Sequence, residues 1–433
     1  MKKKKLNYKI YKKNHVKFKY LNHEYKINVI KFSIELKRLQ LVNQLEKEFL
    51  EKCLNFNKNK KILASFRKGW ENNLKKELRN YLMSNSSLSL NDPVFSDKEY
   101  HNTLFDFFYY RLKKHVKINN SNIKKEVNKL IKDINLPKMV KNKFKILLKY
   151  YKTGDYLKDE KNIKFTFTEY NGILNIKVNN IKFSLSVELY EKAKKRFNYN
   201  SGLDCEYLIV CLCLRYLIFG SISFLQQALH PTIFEQFKRK LNINIELFSS
   251  ILNVYENNLY FSLFYDIEKY FGSYGSFYYA KFISGNYEAT IPSDETMNII
   301  SVKKILNSIK KSKLLFVIKI VGWGKEYEQF KSDYCLNNQR IKSNLYLKDT
   351  NQKKNNLNSR PNKILQENVY EDYKPYLLIK DSKYLKYYKF LCTDEILWYD
   401  YRLKKTHFRG GSIFLYLSNY EIDLNSIKTI KYS

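Results

Sequence analysis

The chain has no glycine-rich phosphate loop: neither a G-x-G-x-x-G run nor a Walker sequence occurs in its 433 residues. That removes the usual cradles of dinucleotide and ATP chemistry. Zinc-ribbon spacing is missing too. The six cysteines, Cys53, Cys205, Cys211, Cys213, Cys335 and Cys392, are scattered, and Cys211 and Cys213 lie two apart with no partner pair downstream. In a chain this long they read as reduced, intracellular thiols, and no metal site is expected. No internal repeat is present. The N-terminal run MKKKKLNYKIYKK has no apolar segment behind its charges, so it does not read as a secretory signal. Lys2–Lys5 fits a nuclear-import signal of low specificity. The one long apolar stretch, Tyr207–Leu225, carries Arg215 at its middle and is preceded by Asp204 with Glu206 beside it. An Arg at a bilayer centre is costly, so the stretch predicts a buried core helix and no membrane span.

Acidic side chains are scarce. Asp and Glu number 42 against 79 Lys and Arg, a formal net charge of +37. Such a field attracts polyanions and favours nucleic-acid binding at low salt. A compositional origin competes with this, since abundant Lys, Asn, Tyr and Ile are what an AT-rich coding sequence writes at unconstrained positions. A membrane surface is the weaker partner, because no stretch pairs a basic face with a clean apolar one. Apolar residues at 44% and aromatics at 16% suffice for substantial cores and argue against wholesale disorder.

Three regions follow from the periodicity. Residues 1–160 read as a basic, mostly helical region: Ile30–Leu50, Ser65–Leu82 and Tyr100–Val116 repeat apolar residues at three- and four-residue steps, and Ile123–Tyr151 is a helical pair broken at Leu136-Pro137. Residues 161–236 open with alternating strands at Lys164–Glu169, Ile173–Val178 and Ile181–Ser186, joined by Tyr170-Asn171-Gly172 and Asn179-Asn180. Asn and Gly tolerate the positive φ of tight turns, so this is a three-stranded meander. Helices at Val187–Phe197 and Cys205–Phe219 follow. Residues 237–433 alternate short strands and helices, the pattern of an α/β layer with a mainly parallel sheet. Strands are expected at Ile243–Phe248, Leu314–Val321, Tyr376–Lys380 and Ser412–Ser418, with a crossover helix over Ser293–Lys311 between the first two. Thr350–Lys363 reads as a disordered insertion, and Gly410-Gly411 as a tight turn.

Within the latter part of the chain lies an ordered series of short motifs: Leu225–Pro231 (LQQALHP), Leu247–Phe261 (LFSSILNVYENNLYF), Asp266–Phe277 (DIEKYFGSYGSF), Ser284–Ser293 (SGNYEATIPS) and Leu314–Trp323 (LLFVIKIVGW). In that order and spacing the chain resembles the phosphorylated-CTD-interacting factor family over about residues 185–425. The resemblance implies a Rossmann-like methyltransferase domain, S-adenosylmethionine as cofactor, capped mRNA as partner and a nuclear setting. Members methylate N6 of the adenosine next to the cap. The family's tryptophan-based docking module is not expected here, since Trp70, Trp323 and Trp398 are far apart.

The family follows its SGxFEA-like stretch with Asn-Pro-Pro-Phe; here the tetrad is Thr290-Ile291-Pro292-Ser293. Methylating an exocyclic amine needs acceptors that take its hydrogens and aim the lone pair at the methyl, so much of the rate comes from positioning. In the family, Asn gives the first acceptor, Pro a rigid carbonyl and Phe a stacking face for the base. Thr290 offers a hydroxyl on a shorter arm, Ile291 a carbonyl without a fixed φ, and Ser293 no π surface; Pro292 is kept. Losing the stack costs roughly 1–3 kcal/mol, and a displaced acceptor about 2 more. Together they slow transfer by about 10²–10⁴.

On the cofactor side the resemblance points to Asn253, Asp266, Glu268, Phe271 and Gly272: an amide for the methionine moiety, acids for ribose hydroxyls, and a glycine for close approach. The same residues equally read as solvated loop acids and turn formers. His230 reads as a packing histidine. Lys386, Lys389, Arg402 and Arg409, interleaved with aromatics, are candidate RNA contacts, or simply solvated strand faces. The leading expectation is an RNA-binding member with catalysis weakened or lost. Two others stand beside it: an active enzyme in which Thr290, the Ile291 carbonyl and Tyr287 or Phe277 take over positioning, and a non-catalytic subunit of an active methyltransferase.

Overall fold

The computed structural model describes residues 8–13, 16–21, 25–58, 70–89, 91–96, 104–105, 108–109, 120–220, 227–256, 258–322, 325–335, 373–408 and 411–433. The chain forms two compact units. The first comprises residues 1–228, 244–284 and 399–405, the second residues 229–243, 285–398 and 406–433.

The first unit opens with an antiparallel hairpin, β1 (Tyr8–Lys13) and β2 (Val16–Leu21). Helices α1 (Phe32–Lys58), α2 (Trp70–Ser86), α3 (Asn120–Ile134) and α4 (Leu136–Lys152) follow, with a short α5 (Asp155–Glu160). Between α3 and α4 the chain breaks where expected. Asn135 adopts a left-handed φ of 48° and Pro137 sits in the first turn of α4, the position where a missing N–H costs nothing. α1 lies against α2, α3 and α4, burying Leu41, Leu45, Phe49, Leu74, Val127, Phe144 and Leu147. The helix expected over Tyr100–Val116 falls mostly outside the described residues.

The meander forms as the alternation predicts: β3 (Phe165–Tyr170), β4 (Ile173–Val178) and β5 (Ile181–Ser186) pair antiparallel in order. Asn171, Gly172 and Asn179 supply the positive φ of its turns. Ser186 then caps α6 (Val187–Arg196), and Asp204 caps α7 (Cys205–Ile218) by accepting from Tyr207 N at 2.6 Å. Nearly all of α7, Arg215 included, is buried. The strand expected over Ile243–Phe248 shrinks to β6 (Ile245–Glu246), paired parallel with β7 (Leu259–Tyr260); the residues beyond it turn away to make side-chain bonds. Last comes β8 (Ala280–Thr290), whose first half pairs antiparallel with β2.

In the second unit α8 (Pro231–Leu241) precedes the second half of β8, which leads through α9 (Glu295–Ile309) into β9 (Lys313–Val321). After α10 (Lys325–Phe330) and α11 (Lys374–Lys380) come β10 (Leu385–Leu391) and β11 (Ser412–Ser418). The strand order is β8–β9–β11–β10. Ile291 N donates to Lys319 O at 3.2 Å, a register that lets β8 and β9 overlap over their length only if they run the same way. β11 is antiparallel to both β9 and β10. The sheet is therefore mixed, and the mainly parallel expectation is corrected: a reversed strand lies between two that share a direction.

Three further expectations change. Tyr376–Lys380 is the helix α11 and not a strand, because Pro375 pre-sets the first helical turn and Tyr376 and Ile379 are buried at helical spacing. Cys335 and Cys392 are joined by a disulfide, their Cα atoms 5.7 Å apart, so only Cys53, Cys205, Cys211 and Cys213 remain free thiols, all buried. Their 57-residue separation hid the pairing from the sequence. Gly411 is required by a close approach more than by a turn: a Cβ there would stand 1.4 Å from Tyr327 Oη, and that hydroxyl donates to Leu391 O at 2.8 Å. Thr350–Lys363 lies outside the described residues. Among the described residues no helix is long and apolar enough to cross a membrane, and no metal-ligating cluster occurs.

Candidate functional site

In the first unit, β6 ends in Glu246 and runs into the Ser249–Asn253 turn. Asn253 Oδ1 accepts from Ser250 N at 2.7 Å and from Ser249 Oγ at 2.9 Å, closing that turn. Its Nδ2 has no partner among the described residues. Buried Glu246 accepts from Tyr255 N at 2.8 Å and Asn258 Nδ2 at 2.9 Å, and its Oε2 lies 2.9 Å from Ser249 Oγ. Burial raises its carboxyl above the usual range against the pull of those bonds.

Glu268 serves the next stretch of loop. It is fully buried and accepts from Ile251 N at 2.8 Å, Tyr260 Oη at 3.0 Å and Tyr216 Oη at 3.3 Å. Desolvation pushes its carboxyl up to about 7, although the bonds oppose the rise. Asp266 gives both oxygens to Arg215 Nη1, at 2.7 and 2.6 Å, and keeps its side chain 16% exposed. Phe271 is buried against Phe197, ring centroids 5.4 Å apart. Gly272 takes a φ of 88° with open space where a Cβ would stand.

These positions bear on S-adenosylmethionine as follows. Asn253 and Asp266 fit it: one keeps a free amide donor suited to a carboxylate, the other a partly exposed carboxylate suited to ribose hydroxyls. Gly272 leaves room for a ligand beside its backbone. Glu268 and Phe271 do not fit as direct ligands, because both are sealed inside the unit and hold the loop instead.

Sequence reading missed what holds Asp266. Arg215 Nε donates to Glu35 Oε2 at 3.1 Å, and its Nη2 pairs with Glu35 Oε1. Arg38 joins Glu35 and Asp92, each at 2.7 Å. Burial works to lower the Arg215 guanidinium's pKa, yet Asp266 and Glu35 outweigh it and hold it well above its ordinary value. A lone Arg inside an apolar helix was the available signal, since a buried charge needs carboxylate partners.

The tetrad lies in the second unit, at the carboxyl end of β8. Thr290 closes the strand and its hydroxyl donates to Glu288 Oε1. Ile291 is buried, with its N–H fixed on Lys319 O. Pro292 O accepts from Asp294 N at 2.7 Å and Asn298 Nδ2 at 2.8 Å. Ser293 immediately precedes Asp294, which caps α9 through Met297 N at 2.7 Å. The tetrad is thus a strand-to-helix turn beside the carboxyl end of the parallel strand β9. Tyr287 is fully buried and stacked on Phe316 at 5.3 Å, which denies it to an incoming base. Phe277, in the first unit, is buried as well.

The basic candidates scatter. Lys386 is exposed on β10, while Lys389 sits half-buried with Nζ 5.2 Å from the Tyr432 ring. Arg402, in the first unit, is only 13% exposed and pairs with Asp400 at 3.4 Å, so it is not a surface contact. Arg409 and Trp323 lie outside the described residues. His230 caps α8, its Nδ1 accepting from Thr232 N at 3.3 Å, and burial lowers its pKa.

A family model described as phosphorylated CTD interacting factor 1 WW domain matches residues 186–349. That segment contains Trp323 as its one tryptophan. No curated protein matches the chain. The matched segment runs through every cofactor-side candidate and the tetrad, and over that segment the match supports membership of the phosphorylated-CTD-interacting factor family.

Proposed function

We propose that this chain is a diverged RNA N6-adenosine methyltransferase-type protein with a Rossmann-like domain, which binds capped RNA while its methyl transfer is weakened or lost. One observation carries the reading: the altered tetrad occupies the carboxyl end of β8, at the start of α9 and beside parallel β9. Ligands of open α/β sheets bind outside the carboxyl ends of strands. The place for substrate is thus retained while the groups that aim it are not. S-adenosylmethionine supplies an activated methyl when bound, and Asn253 and Asp266 are the residues that would hold it. Thr290 turns its proton toward Glu288, so it meets a base with a short hydroxyl already engaged. Pro292 spends its carbonyl on Asn298 and on the helix start. No aromatic follows to stack a base, and the burial of Tyr287 speaks against substitution from within the unit.

The test is to incubate purified protein with labelled S-adenosylmethionine and capped, adenosine-initiated RNA. The expected result is RNA retention that weakens steeply with salt, without methyl incorporation. Absence of RNA binding at low salt overturns the reading, and robust N6 methylation overturns the loss of catalysis.

A further inference from the structure

Helix α4 (Leu136–Lys152) contains six lysines and no acidic residue. Lys143, the one on its inner side, is buried and pairs with Glu48 at 2.5 Å. The other five, Lys138, Lys141, Lys145, Lys149 and Lys152, are exposed and have no carboxylate partner among the described residues. Their spacing of three, four, four and three residues sets them within an arc of about 80°. They form a line of ammonium groups about 21 Å long.

Random lysine enrichment would scatter charge around the helix. Here consecutive lysines of the stripe stand three or four residues apart, and such like-charge neighbours destabilise a helix. Lys138 also lies in the first turn, where the helix dipole disfavours a cation. Nothing in the helix offsets either cost, and an external polyanion does. The apolar residues Leu136, Met139, Val140, Phe144 and Leu147 are buried on the opposite side, so Ile146 is the one large apolar group exposed on this helix. A membrane-binding helix needs an apolar face to insert; this face has none to offer.

We propose that the outer face of α4 is a binding site for the phosphodiester backbone of an RNA strand, a contact separate from Lys386, Lys389, Arg402 and Arg409. It rests on the RNA-binding reading above and names where that binding is concentrated. Lysines contact phosphates without reading bases, so the site adds affinity and orientation with little sequence preference.

The test compares the full chain with the variant K141Q/K145Q/K149Q and a control variant, K161Q/K177Q/K182Q, which removes equal charge from exposed lysines of the same unit. Binding of a 20-nucleotide oligoadenylate RNA is followed by fluorescence anisotropy from 25 to 200 mM KCl. Circular dichroism checks that each variant is folded. The α4 variant is expected to bind about tenfold more weakly at 50 mM salt, with a logarithmic salt slope shallower by about 2, while the control changes about twofold or less. Equal losses in the two variants, or none in the α4 variant, overturn the site and leave RNA binding standing. Failure of the unaltered chain to bind removes both. Vesicles of phosphatidylserine and phosphatidylcholine form a second arm: stripe-dependent sedimentation with stripe-independent RNA binding also overturns the proposal.

Discussion

The two units treat their family-matched residues in opposite ways. In the first, Glu246, Glu268 and Asp266 are held by two or more bonds from their own unit, and the buried Arg215 locks Asp266 to Glu35. In the second, the tetrad keeps its place between strand and helix, but its side chains are small and turned to local partners. Side chains that also maintain the fold are kept by packing and charge balance whatever becomes of the chemistry. Groups whose use is confined to a substrate have no such protection, and under the proposed function the tetrad, which departs from Asn-Pro-Pro-Phe, is of that kind.

The comparison breaks first, and most visibly, at Arg215. Replacing it with Met strands the buried Glu35 and the partly exposed Asp266, and truncating one partner of a buried pair costs about 3–5 kcal/mol. Urea unfolding of R215M is expected to show a loss of that size; a change under about 1 kcal/mol means the network is not needed for the fold.

Glu268 sharpens the contrast through pH. Its folded pKa of about 7 lies above the ordinary 4.5, so the protonated form is favoured in the native state. The stability it contributes is full below about 4.5 and is lost as pH rises through 7. Glu268→Gln removes that dependence. The variant should match the parent near pH 4.5 and gain up to roughly 3 kcal/mol over it above pH 7. A difference independent of pH would mean that the carboxylate is not desolvated.

In the second unit, Gly411→Ala drives a methyl into the Tyr327 hydroxyl. Overpacking of this kind costs about 1–3 kcal/mol, readable as a lower thermal midpoint. Thr290→Ala sits at the small end. It removes one hydroxyl bond to Glu288, worth about 1 kcal/mol, and should leave RNA binding unchanged. A larger loss of stability would assign Thr290 to the scaffold and not to the proposed substrate site.

How legible this was depended on the range of the interactions. Helices of α3 and α4 type, the meander and β11 were readable because local periodicity and turn chemistry decide them. Ser412–Ser418, hydrophobic and preceded by Gly410-Gly411, is a strand from end to end as read. Tyr376–Lys380 misled because a five-residue window cannot separate helix from strand, and the preceding Pro carried the deciding information. β6 was overdrawn because Leu247 and Phe248 extend its apolar run, while Ser249 onward needs a turn. The disulfide and the Arg215 network depend on residues tens to hundreds apart, for which one sequence offers no register. The tetrad was readable as a departure from the family's Asn-Pro-Pro-Phe. Its hydrogen bonds to Glu288 and Asn298 were not, because backbone path decides them.

The most direct trial of the account is to restore the missing groups. T290N/I291P/S293F should be compared with the unaltered chain for transfer of labelled methyl to N6 of capped, adenosine-initiated RNA under single-turnover conditions. The account predicts transfer at least about 10²-fold faster in the restored variant than in the parent, with RNA affinity equal in the two. Transfer by the parent at the same rate as the variant would contradict it.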